Sequence, residues 1–125
     1  MKKCAIVTGA ASGIGLAIAK RLSQDNLNII IADIDKIQGV KVAEELNGLF
    51  VQSDLRKTAA CQALIKETVG HFGGVDILIN NAGFQQVSPI EDFPENKWEQ
   101  MIALMLSAPF RLTKYAWPHM KENSW

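Results

Sequence analysis

The turn Thr8-Gly9-Ala10-Ala11-Ser12-Gly13-Ile14-Gly15 constrains the chain more than any other stretch. It follows a short apolar run, Cys4-Ala5-Ile6-Val7, and leads into Leu16-Ala17-Ile18-Ala19-Lys20-Arg21-Leu22, which has helical spacing. Strand, glycine-rich turn and helix in that order are the setting in which such a turn holds a phosphate. Glycine lets the backbone come close, and the free N–H groups at a helix start carry partial positive charge. The spacing here is G-x-x-x-G-x-G rather than the commoner G-x-G-x-x-G. Taken alone, the turn is equally well explained as a plain structural loop, so its meaning depends on the rest of the chain.

Downstream of the turn, strand and helix alternate. Residues 3–8 read as a buried strand and residues 13–24 as a helix burying Ile14, Ala17, Ile18 and Leu22, with Asp25-Asn26 as a turn. Asn28-Ile29-Ile30-Ile31-Ala32 is a continuous run centred on three β-branched residues, the mark of a strand covered on both faces in a parallel sheet. A helix over 35–46 presents Ile37, Val40, Ala43 and Leu46, and Asn47-Gly48 stops it. Gly39 inside that helix costs about 1 kcal/mol relative to alanine. A third strand spans 49–52, and residues 58–72 carry the clearest helical stripe: Cys61, Leu64, Ile65, Thr68, Val69 and Phe72. Gly73-Gly74 ends it, and residues 75–80 are the fourth strand. Strands spaced by helices imply right-handed crossovers, hence an α/β fold of the doubly wound, Rossmann type with helices on both faces of a parallel sheet.

A polar loop with Pro89 and Pro94 leads to a last helix opening at Glu95 or Asn96 and carrying Trp98, Met101, Ile102, Met105 and Leu112. Pro109 predicts a kink or interruption in it, and Pro118 predicts its end. There is no repeat, low-complexity segment or linker, so residues 1–125 read as one domain.

Composition narrows the function classes. The hydrophobic fraction of 48% with 21% charged residues fits a soluble globular chain, and 13 basic residues balance 13 acidic ones without a block of either sign. Nothing favours nucleic acid or an anionic membrane as a partner, and no stretch is long enough to span a bilayer. Cys4 and Cys61 lie far apart without C-x-x-C spacing, which argues for a reduced, cytoplasmic setting and for buried apolar roles. His71 and His119 read as surface residues with no metal-ligand cluster around them.

In an open parallel sheet, ligands bind beyond the carboxyl ends of the strands, where the strand order reverses. Each strand end carries a residue type that a dinucleotide would use. The first offers the glycine turn for a pyrophosphate. The second ends at Asp33, whose carboxylate can accept from ribose hydroxyls and would repel a 2′-phosphate, favouring NAD over NADP. The third ends at Ser53-Asp54-Leu55, where a carboxylate can accept from an adenine amino group, and the fourth at Asn80-Asn81-Ala82-Gly83, where backbone can pack against the cofactor. Each has a plain alternative: Asp33 and Asp54 are equally suited to capping the next helices along the chain, and Asn-Asn-Ala-Gly to forming a turn.

Together, T-G-x-x-x-G-I-G, the Asp ending the second strand, the Asp-Leu pair after the third and N-N-A-G after the fourth resemble the short-chain dehydrogenase/reductases over the whole chain. The resemblance implies that Gly9, Ser12, Gly13, Ile14 and Gly15 hold the pyrophosphate side. It places Asp33 and Ile34 about the adenosine ribose, Asp54 and Leu55 at the adenine, and Leu104 against the adenine side. Asn81, Ala82 and Gly83 would line the nicotinamide half. Residues 81–86 with Pro89-Ile90-Glu91-Asp92-Phe93-Pro94 and Lys97-Trp98 are similar to the D-3-hydroxybutyrate dehydrogenase branch, which implies that Gln85 helps hold a substrate carboxylate. The implied function is an NAD-dependent oxidoreductase acting on a small hydroxy acid and its keto acid, as a homo-oligomer assembled through the last helix.

Two departures qualify that expectation. The family's Ser, Tyr and Lys lie beyond the start of a fifth strand, past Trp125. Tyr115, the only tyrosine, is followed four residues later by His119 rather than Lys and reads as structural. Met105 stands where most members have an Asn that kinks the helix and seats a water of the proton relay. The chain is therefore expected to be the cofactor-binding half of a longer dehydrogenase, truncated after the fourth strand and its following helix and inactive by itself. Its fourth strand would lie at an open sheet edge. The alternative is a non-catalytic nucleotide-binding or oligomerisation module.

Overall fold

The computed structural model of the chain describes residues 2–123 and Trp125. Four strands, β1 (Cys4–Thr8), β2 (Asn28–Asp33), β3 (Leu49–Gln52) and β4 (Ile77–Ile79), alternate with helices α1 (Gly13–Ser23), α2 (Lys36–Glu45) and α3 (Thr58–Phe72). After β4 come a 3-10 turn (Ile90–Asp92), α4 (Glu95–Ile102), a π-helical turn (Ala103–Ser107) and α5 (Ala108–Asn123). The sheet is parallel with order β3-β2-β1-β4; Ala5 of β1 sits beside Ile29 of β2 and Ile77 of β4. The chain thus winds outward from β1 in one direction and then returns to its other side, which places the reversal of strand order between β1 and β4.

The apolar runs of β1 and β2 have the meaning expected of them, because both faces of the sheet are covered. Alternate residues go to opposite sides. Cys4, Ile6, Ile30, Ala32 and Val51 pack with Cys61, Leu64 and Ile65 of α3 and Ala108, Leu112 and Ala116 of α5. Ala5, Val7, Ile29 and Ile31 pack with Ala19 of α1 and Val42 and Ala43 of α2. Ile6, Ile29, Ile30 and Ile31 are fully buried, each stabilising the fold by on the order of 2 kcal/mol relative to exposure. β4 ends the sheet on one side, the open edge expected from the sequence, and its residues are only half-buried.

Two helix faces differ from expectation. In α1, Ile14 is 74% exposed and Ala17 is also outside, while Gly15 and Ala19 are buried. In α2, Ile37 is 85% exposed, and Gly39, Val42 and Ala43 face the sheet. The cause is the same in both. A glycine lets the helix approach so closely that the inward face centres on the smallest residue, which rotates the larger ones out. A Cβ on Gly39 would run into the Phe50 ring.

The last helix also differs from expectation. Its interruption precedes Pro109 as the π-turn, where the Ala108 N–H donates to Ala103 O, five residues back. Pro118 does not end α5. It lies inside the helix on an exposed face, where the carbonyl that loses its partner reaches solvent, and the helix continues to Asn123. There the Asn123 amide donates to Asp76 Oδ1 at 2.7 Å, tying the helix end to the start of β4.

Candidate functional site

The glycine turn leaves β1 through Gly9, in the left-handed region at φ +64°, and enters α1 through Gly13 at φ +58°. Both values favour glycine. A Cβ at Gly9 would meet Ala82 Cα at 3.0 Å, and one at Gly15 would collide with the carbonyl of Gly9 and with Asn81 Nδ2, so the turn, α1 and the β4 loop meet without room for a methyl group. Ser12 occupies the N-cap of α1 but makes no side-chain cap bond, and no acidic side chain stands in the first turn. Ser12, Gly13 and Ile14 are all exposed. The initial N–H groups of α1 are therefore available to an anion.

Thr8, to which the sequence assigned no role of its own, joins the end of β1 to the end of the edge strand β4. Its buried hydroxyl accepts from the Asn81 and Ala82 N–H groups, each at 2.9 Å, and donates to Ile79 O at 3.3 Å. Asn81 returns the contact through Nδ2, which donates to Thr8 O at 3.0 Å and Gly9 O at 3.3 Å. The side chain of Asn81 is thus engaged in holding the turn, leaving Ala82 and Gly83 as the part of the motif that borders open space.

Neither aspartate is a helix cap. Asp35 caps α2, accepting from the Gln38 N–H at 3.1 Å. Asp33 instead bridges two segments: Oδ2 accepts from the Ala11 N–H of the glycine turn at 3.0 Å and Oδ1 from the Asp35 N–H at 2.9 Å. Lys57 holds the N-cap position of α3 without a side-chain bond, while Asp54 is gripped by Arg56, Nε to Oδ1 at 2.8 Å and Nη2 to Oδ2 at 2.9 Å. The guanidinium holds the Asp54 carboxyl below its ordinary value of 3.8. Arg56 had no signal in the sequence beyond its place two residues after Asp54.

Between these strand ends lies a cleft of about 260 Å³. Asp33 and Ile34 border it from β2, Ser53, Asp54, Leu55 and Arg56 from β3, Ala82, Gly83 and Phe84 from β4, and Leu104 from the π-turn. Six of the site residues named from sequence for the ribose, adenine and nicotinamide (Asp33, Ile34, Asp54, Leu55, Ala82, Gly83), together with Leu104, share this one recess. Gly9, Ser12, Gly13, Ile14 and Gly15 stand beside it, and exposed Gln85 lies in the loop after it. The Ser53 hydroxyl donates to Val51 O at 3.0 Å, and so is engaged within its own strand. Phe84 carries Lys97 Nζ 5.8 Å from its ring centre.

The π-turn forms with Met105 inside it, so the widening of the helix needs no asparagine side chain; Met105 Cε would stand 3.3 Å from a Cβ on Gly83. Tyr115 packs against the α3–α5 core, the structural place expected of it. His71 is exposed and His119 half-buried. Both thiols are buried; burial pushes Cys4 up to about 11, with Sγ donating to Gly74 O at 2.7 Å, and raises Cys61 as well. Among the described residues no cluster of three metal-ligating side chains occurs and no helix is long and apolar enough to cross a membrane.

The chain is similar in sequence and fold to known proteins. The sequence model of the family described as short chain dehydrogenase matches residues 3–125. D-beta-hydroxybutyrate dehydrogenase of Cupriavidus necator is 40% identical over 98% of the chain and 50% of its own length. The protein of the same name from Rhizobium meliloti is 38% identical over 100% of the chain and 51% of its own length. Among solved structures, L-sorbose reductase from Gluconobacter frateurii, complexed with NADPH and L-sorbose, superposes with a TM-score of 0.94 at 30% identity, covering 98% of the chain and 49% of that protein. The chain spans about half the length of the curated relatives it matches.

Proposed function

The chain belongs to the short-chain dehydrogenase family, and from that premise we propose that residues 1–125 are the NAD-binding domain, and the N-terminal half, of a cytoplasmic dehydrogenase interconverting D-3-hydroxybutyrate and acetoacetate. The observation that carries this is the convergence of Asp33, Asp54, Ala82 and Gly83 on one cleft beside the open start of α1. The residues fit a dinucleotide on their own geometry. Gly9 and Gly15 let the turn, α1 and the β4 loop close on one another with no room for a methyl group between them, and the first turn of α1 offers unpartnered N–H groups without a competing carboxylate.

In this reading Gly9, Ser12, Gly13, Ile14 and Gly15 hold the pyrophosphate, and Asp33 and Ile34 the adenosine ribose. Asp54, Leu55 and Leu104 surround the adenine. Ala82 and Gly83 border the nicotinamide half, with Asn81 fixing their position through Thr8 and Gly9. The Asp33 carboxylate favours a free ribose 2′-hydroxyl over a 2′-phosphate, and so NAD over NADP. A nicotinamide held there would supply hydride-acceptor chemistry for oxidation at the substrate's hydroxyl-bearing carbon, leaving the hydroxyl proton to a base. That base is the family's tyrosine, which lies outside these residues, with Gln85 donating to the substrate carboxylate. Similarity to the two D-beta-hydroxybutyrate dehydrogenases supports the choice of substrate. The exposed apolar side chains of α4 and α5 support assembly with a second copy through the last helix.

Calorimetry with NAD and NADP tests the binding assignment: saturable binding with NAD tighter supports it, and absence of binding to either refutes it. The substrate assignment is read from NADH absorbance on adding D-3-hydroxybutyrate to the natural polypeptide that carries these residues. A response to L-sorbose but not to D-3-hydroxybutyrate would overturn it.

A further inference from the structure

We propose that Arg56 is a positioning residue that makes the cleft select a 6-aminopurine over a 6-oxopurine, by clamping Asp54 so that its carboxylate keeps one acceptor position for the ligand. The inference rests on the reading of this cleft as the adenine end of a dinucleotide site. An ionised carboxylate offers about four acceptor positions, two on each oxygen. Three are occupied by Arg56 alone: Oδ1 accepts from Nε at 2.8 Å and from the backbone N–H at 3.3 Å, and Oδ2 accepts from Nη2 at 2.9 Å. One position on Oδ2 is left. Both residues border the cleft, and among the described residues Asp54 is the one ion-pair partner of Arg56.

The fork fixes both carboxylate oxygens against rotation, which a single-point cation such as lysine does not do. It also keeps the group ionised, since the Arg56 guanidinium is the largest influence holding the Asp54 carboxyl low. A 6-amino group donates into the remaining position. A 6-oxo group brings lone pairs against an anion that cannot turn away. The pair is half-buried at the rim of the cleft, and ion pairs that reach solvent contribute little to folding, so removing Arg56 is expected to leave the fold in place.

The test compares NAD with nicotinamide hypoxanthine dinucleotide, which differs in carrying the 6-oxo group, by calorimetry on the 125-residue chain and its variants. The ratio of the two affinities is independent of the active fraction of each preparation, and circular dichroism checks the fold. The unsubstituted chain is expected to prefer NAD by about tenfold, the scale of one charge-assisted hydrogen bond. Arg56→Met should bring the ratio to within about twofold, mostly by weakening NAD, with Arg56→Lys between. An unchanged ratio in Arg56→Met overturns the assignment. If Asp54→Asn abolishes the preference while Arg56→Met keeps it, Arg56 alone is wrong and the adenine reading stands. If the unsubstituted chain binds both dinucleotides equally, or neither, the assignment falls together with that reading.

Discussion

Asp33 makes an observed contact with the glycine turn and carries one proposed role, and the two separate experimentally. Its Oδ2 secures the Ala11 N–H of the glycine turn, while its charge faces the cleft that the ribose would occupy. Asp33→Ala removes both. The lost anchor weakens every dinucleotide alike, whereas the lost charge and ribose acceptor act on NAD and relieve repulsion on NADP. Calorimetry on Asp33→Ala is expected to show NAD weakened by about tenfold more than NADP; equal losses would refute the ribose assignment and leave Asp33 as a structural tie. Cys4 illustrates burial acting on a titrating group. Its folded-state value is raised from 9.0 to about 11, so the native thiol holds its proton more tightly than the unfolded one. Its contribution to stability is complete below pH 9 and is lost as the pH rises toward about 11. Aromatic disulfide reagents at neutral pH are expected to find no fast-reacting thiol in the native chain and two in denaturant; a fast native thiol would mean that Cys4 or Cys61 is accessible.

At the level of elements, the strand ends were legible because residue type at a strand's carboxyl end carries chemistry whatever the packing. The sequence positions of Asp33 and Asp54 were enough to put both at strand ends, where they border the cleft. The rotation of α1 and α2 was not legible, because it depends on how closely a helix approaches the sheet, which one glycine decides. Gly39 reads from sequence as a weakness in α2, yet it is where the Phe50 ring packs. Gly70 in α3 is exposed with nothing within 4 Å of an added Cβ. The two substitutions therefore have opposite signs. Gly70→Ala should stabilise by about 0.5–1 kcal/mol through helix propensity. Gly39→Ala should destabilise by about 1–2 kcal/mol, overpacking exceeding the propensity gain. Urea unfolding of both, and of Gly39→Ala with Phe50→Ala, checks this. Restoration of the favourable sign in the double variant assigns the cost to the ring, and a stabilising Gly39→Ala by itself would show that the ring moves aside. The roles of Thr8 and Arg56 were not legible for a related reason: their partners, Asn81 and Asp54, are set by tertiary approach and by rotamer, not by spacing.

For the molecule as a whole, the parallel sheet leaves two surfaces that a lone chain does not cover. Among the described residues β4 has no neighbour beyond it, and Trp98, Leu106, Phe110 and Trp117 stand more than half exposed along α4, the π-turn and α5. Either surface can drive association, by strand pairing at the open edge or by apolar burial on the helices. The helices offer the larger apolar area, while β4 presents only three residues of ladder. Sedimentation analysis is therefore expected to show concentration-dependent self-association of the chain. Leu106→Glu combined with Phe110→Lys should shift it to monomer while leaving far-ultraviolet dichroism and NAD affinity intact, since neither side chain borders the nucleotide cleft. Association that survives the double substitution would move the interface to β4. A charged residue at Ile79 would spoil that edge only by disturbing its pairing with Val7 as well. Strand pairing would then be read from amide exchange at residues 77–79, protected in the associated state and open in the monomer. The helix face carries the homo-oligomer proposal, and the monomeric double variant is the form in which dinucleotide binding is best measured, because association and ligand binding no longer act on the same titration.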